Sequence, residues 1–131
     1  MKIELAIAGL CCFVLAFGHT AIGASWILPN LTAADLPATA FGPPRLTLAM
    51  VRFTWHVVSL MLLAFGVLLM ALAFAPDADP EILLLRWFAV LWLAATALAV
   101  WNARRRLRSL LHLPVPLIMF VIAVMCWAAT I

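Results

Sequence analysis

Residues 45–75 read RLTLAMVRFTWHVVSLMLLAFGVLLMALAFA, an apolar run that opens on Arg45 and stops at Pro76. Some 30 residues at 1.5 Å each make a helix of roughly 45 Å, well over the thickness of a hydrocarbon core. Near its start, Arg52-Phe53-Thr54-Trp55-His56-Val57-Val58-Ser59 sets an arginine, a tryptophan, a histidine and a serine among aliphatic residues. Ionisable groups are costly at membrane depth, so they face protein, water or a ligand. At helical spacing Arg45, Arg52 and His56 share one face, with Ala49 and Ser59 beside them.

The rest of the chain fits around this segment. It has 131 residues, 69% hydrophobic and 10% charged, with a mean hydropathy of +1.23. A soluble domain carries roughly 25% charged residues, so this composition specifies a polytopic membrane protein. Four spans, at about residues 4–28, 45–75, 80–102 and 110–131, use nearly every residue. The expected fold is a single all-α domain, an up-down-up-down bundle of four transmembrane helices. The apolar run from Leu5 to Leu28 exceeds the 7–15 residues of a signal-peptide core, and Glu4 follows Lys2 at once, so an uncleaved helix is expected.

Helix 1 carries His19 on one face with Ala8, Cys12, Ala16 and Gly23. Small residues admit a neighbouring helix, because lipid supplies no hydrophobic drive for association. His19 is therefore expected to face protein. Helices 1 and 2 run antiparallel through the loop at residues 29–44, which brings His19 and His56 to similar heights. Prolines and a glycine break that loop, while Thr32-Ala33-Ala34-Asp35 has the form of one capped turn. It is long enough to cover the His19 end.

Helix 3 opens near Pro80 and Glu81 after an acidic turn, with Arg86 placed to reach that turn or Glu4. Helix 4 carries His112 at its mouth and Pro114 and Pro116 in its early part, where they could bend it. Cys11, Cys12 and Cys126 lie inside spans without the spacing of a zinc site or a disulfide framework.

Arg45, Arg52, Arg104, Arg105, Arg106 and Arg108 fall on one side of the bundle against Asp35 alone. Positive charge marks the cytoplasmic face, so both termini are expected outside a bacterial-type inner membrane. The arginines at 104–108 suit anionic lipid headgroups. With no folded domain around them they do not form a nucleic-acid site.

His19, His56, Arg45, Arg52, Ser59 and His112 thus gather toward the cytoplasmic end as a candidate ligand site. One expectation is a b-type haem, with His19 and His56 on the iron and the arginines on the propionates. Met119 is a substitute axial ligand. Neighbouring helices pack about 8–10 Å apart, which is tight for a porphyrin, so diagonal helices or two subunits would have to supply the pair. A second expectation is an oligomeric channel or proton-coupled carrier using the same face. A third is a structural subunit of a membrane complex, its histidines bonding helices together. No HExxH, phosphate-binding loop or Ser-His-Asp set points to an enzyme.

Overall fold

The computed structural model describes residues 2–39, 42–75, 82–103 and 115–131. All regular structure among them is helical: α1 (Ile3–Ile22), a π turn (Gly23–Ile27), a 3-10 turn (Ala33–Asp35), α2 (Pro44–Phe74), α3 (Ile82–Ala103) and α4 (Val115–Ala128). Three stretches, Ile3–Ile27, Pro44–Phe74 and Leu84–Trp101, are long and apolar enough to cross a membrane. The 14 residues of α4 are as apolar but shorter. Pro44 starts α2, where a missing N–H costs nothing because first-turn donors have no helical partner. The acidic turn, the arginines at 104–108, His112 and Pro114 lie outside the described residues.

Neighbouring helices alternate in direction. The Lys2 N–H donates to the Ala73 carbonyl at 3.0 Å, joining the start of α1 to the end of α2. The Arg86 guanidinium lies 5.5 Å from the Trp127 ring centre, joining the start of α3 to the end of α4. Arg86 thus meets an aromatic face, while the acidic turn it was expected to reach lies outside the described residues. α1 packs on both α2 and α4, and α4 on α3. Phe65 closes the remaining side, edge-on to Phe88 and Trp92 with ring centres 5.3 and 6.2 Å away.

The core sits at the end of the bundle that holds the chain termini. Leu5, Cys12, Leu69, Leu85, Ile122 and Cys126 are its fully buried side chains, and all three cysteines are free. On α2 the buried residues are Gly66, Leu69 and Ala73, all in its last third. α1 and α2 approach backbone to backbone there. A Cβ on Gly66 would stand 2.6 Å from the Phe13 ring and 3.2 Å from the Gly9 carbonyl. Elsewhere Leu10, Phe17, Phe53, Leu60 and Leu98 are mostly exposed, a surface suited to acyl chains and not to water.

In the loop, the capped turn forms as expected. The Asp35 carboxylate accepts the Thr32 hydroxyl at 2.7 Å and the Thr32 N–H at 2.8 Å. Those two bonds, the hydroxyl foremost, hold its carboxyl below the ordinary range. Thr39 and Gly42 exchange N–H···O bonds of 3.1 Å. Gly42 has φ 151°, which glycine adopts without a Cβ clash.

Candidate functional site

The buried stripe of α1 runs through Leu5, Ala8, Cys12, Leu15 and Ala16. It continues through half-buried His19 to buried Gly23. Because Ala8, Cys12, Ala16 and Gly23 are small, α2 comes close enough to set an indole between His19 and Gly23. The His19 and Trp55 rings stack with centres 4.3 Å apart and planes 14° from parallel. Trp55 Nε1–H donates to the His19 carbonyl at 3.0 Å. Gly23 is required here, since a Cβ would enter the indole itself.

Ser59 holds the histidine in place. Its Oγ lies 2.9 Å from His19 Nδ1 and 3.2 Å from the Trp55 carbonyl. A serine hydroxyl has one proton to donate, and it can go to the carbonyl or to Nδ1, so Ser59 pairs with either tautomer of the ring. Nε2 has no hydrogen-bond partner among the described residues.

A groove of about 350 Å³ adjoins this ring, lined by His19, Thr47, Met50, Val51, Thr54, Trp55 and Val58. It is open to the surface, with His19 of α1 at one side and α2 supplying the other lining residues. Thr54 Oγ donates to the Met50 carbonyl at 2.7 Å, which commits its proton and leaves lone pairs. The loop at 29–43 supplies none of the described lining residues.

Beyond Gly23 the turn widens. The Leu28 N–H reaches back five residues to the Gly23 carbonyl at 2.8 Å. The Leu28 carbonyl in turn accepts Arg52 Nη2 at 3.4 Å. A cation at the carbonyl end of a helix is electrostatically favourable, so Arg52 caps the end of α1.

The candidate residues therefore divide. His19 and Ser59 come together, with Trp55 as their third member. His56 does not join them. Trp55 and Ser59 occupy the side of α2 that meets α1, which turns His56 to an exposed side. The expectation that both imidazoles face inward as a pair is corrected by this register. Arg45 is exposed in the first turn of α2, and Met119 packs against the core near Ile122. No group of three or more metal-ligating side chains forms among the described residues. Trp55 stands in the stretch but was not expected as a site residue, because its seat at Gly23 is 32 residues distant in sequence.

Compared with known proteins, the chain matches no family model, and no curated protein or solved structure shows significant similarity to it.

Proposed function

We propose that this is a small polytopic membrane protein whose α1–α2 seam holds a ligand arriving through the bilayer, with His19 as the recognising group. The observation that carries the reading is the setting of His19: Ser59 holds Nδ1, Nε2 has no partner among the described residues, and the ring lines an open groove. Trp26 and Trp101 are exposed at one end of the bundle, and Trp87 and Trp127 at the other. Amphipathic rings favour the two membrane interfaces. His19 precedes Trp26 by seven residues, which sets it about 10 Å below that interface, at acyl-chain depth.

In this reading the apolar sequence from Leu110 to Ile131 makes a fourth crossing. The six arginines assigned to one side in the sequence mark the cytoplasmic face, so both termini lie outside an inner membrane. The arginines at 104–108 then meet anionic headgroups. Fusions test the orientation. Alkaline phosphatase attached after Ile131 is expected to be active, and green fluorescent protein at the same point dark. The reverse pattern would overturn the assignment.

The ligand site has its own test. Thr54 is exposed and lines the groove, so Thr54→Trp fills the space without entering the core. Small molecules extracted from protein purified in mild detergent are compared by mass spectrometry. The variant is expected to retain about tenfold less of one such molecule, a loss on the order of 1.4 kcal/mol in binding. Equal recovery from both proteins, or none from either, would count against the site.

With Nδ1 held by Ser59 and Nε2 without a partner among the described residues, a second reading makes His19 an axial ligand of haem. A partner histidine would then come from another copy of the chain, since His56 does not stand beside His19. A Soret band in the purified protein, lost in His19→Ala, would establish that alternative.

A further inference from the structure

A second groove lies between α3 and α4, and we propose that it seats one acyl chain of a glycerophospholipid whose phosphate rests on Arg86. Ala89, Val90 and Leu93 line the groove from α3, and Phe120, Val124 and Trp127 from α4. Apart from the indole N–H of Trp127 these side chains carry no polar group, so an apolar occupant suits them. The space is about 190 Å³. Sites for compact small molecules start at about 300 Å³, so a slender chain fits better than a ring system. Between Phe120 and Trp127 the helix rises about 10 Å, and the groove follows it along the direction in which acyl chains lie.

Charge decides what that chain is attached to. The Trp127 ring in the groove wall is the ring over which Arg86 lies, 5.5 Å from its centre. At helical spacing Arg86 shares a side of α3 with Ala89, Val90 and Leu93. The cation therefore stands at one end of the groove, the end of the bundle that holds the chain termini. Trp87 and Trp127 are exposed there, and indoles favour the membrane interface, so Arg86 lies at the level of lipid phosphates. It is exposed and has no hydrogen-bond or ion-pair partner among the described residues. Contact with a ring face leaves the N–H donors of a guanidinium unspent, and their fork matches a phosphate. A neutral apolar molecule would fill the groove and leave those donors unused. Free phosphate would take the donors and leave the groove unfilled. A phospholipid supplies both groups at once, and it is what the bilayer presents at this level. The site shares no residue with the groove beside His19, so the two readings stand or fall separately.

The test titrates the full chain, purified in mild detergent and stripped of lipid, with dioleoylphosphatidylethanolamine. Adducts are counted by native mass spectrometry. Dioleoylglycerol offers the same chains without the phosphate, and inorganic phosphate offers the reverse. One phospholipid per chain is expected to bind, about tenfold or more tightly than the diacylglycerol, and phosphate alone is expected not to bind. Arg86→Gln removes the charge and is expected to weaken phospholipid binding about tenfold. Arg86→Lys, a point charge in place of a fork, is expected to fall between. Val124→Trp fills the groove from an exposed position and is expected to lose the phospholipid to a similar extent. Leu93→Trp, also exposed, repeats that test from α3 should circular dichroism show that Val124→Trp has lost helix.

Equal binding of phospholipid and diacylglycerol would remove Arg86 from the site. Undiminished binding in the groove-filling variants would leave the lipid on a bare surface. A pair of chains that those variants separate would make a second copy the occupant. Any of these outcomes, or no phospholipid bound by the unaltered protein, overturns the proposal.

Discussion

Gly23→Val drives the Trp55 indole from its seat and lowers stability by about 1–3 kcal/mol, the usual cost of forcing atoms into a packed contact. The valine Cβ enters space now held by the indole ring. The ring has to leave, and with it go the bond to the His19 carbonyl and the stack on the imidazole. Unfolding of the detergent-solubilised protein, followed by circular dichroism, gives the size of the effect. A double-mutant cycle gives its cause. In a Trp55→Ala background the valine meets no indole, so the same substitution is expected to cost little there. An unchanged cost in that background would mean that Gly23 serves the backbone of the wide turn and not the ring.

A second large effect belongs to the other end of the seam. Gly66→Leu places a branched side chain against the Phe13 ring, too near for any Cβ, and tight against the Gly9 carbonyl. With no hydrophobic force pressing helices together in lipid, association depends on close van der Waals fit. Prising α1 from α2 is expected to cost about 1–3 kcal/mol, read from the midpoint of unfolding in mixed detergent micelles. Phe13→Ala added to Gly66→Leu restores part of the loss by making room on one side. It leaves the Gly9 carbonyl contact, so restoration is incomplete. Full stability in the single variant would show that the two helices are held apart in the membrane.

These two glycines also indicate how much of the molecule was legible in advance. The long apolar segments required no tertiary information, because crossing a bilayer is a matter of length and composition. The inward side of α1 was legible for a related reason: Ala8, Cys12, Ala16 and Gly23 form a stripe of small residues, and His19 belongs to it. Thr32 and Asp35 declared their turn through side chains that bond locally. The inward side of α2 was misassigned by following its polar residues. Arg52, His56 and Ser59 suggested one face, whereas packing follows Ser59, Gly66 and Ala73, which recur every seven residues. That rhythm admits Trp55, four residues before Ser59, and leaves His56 outside. Two helices had to be docked before Trp55 could be paired with Gly23, and no local pattern carries that information. The wide turn was illegible for a different reason. Nothing in Gly23-Ala24-Ser25-Trp26-Ile27 distinguishes it from an ordinary helix.

That turn has a consequence for the bookkeeping of side-chain directions. An α-helix returns to the same side after three or four residues, so an uninterrupted α1 would follow buried Gly23 with Trp26 or Ile27. Five residues per circuit bring Leu28 round instead, buried at 7% exposure, while Trp26 stands 71% exposed. Removing one residue between Gly23 and Leu28 would set the leucine four residues after Gly23, on the same side of an ordinary helix. The wider coil therefore absorbs one extra residue and keeps Leu28 on the packed side. One surplus amino acid thus acts as a phase shifter, leaving Trp26 outside and Leu28 inside within a single coil.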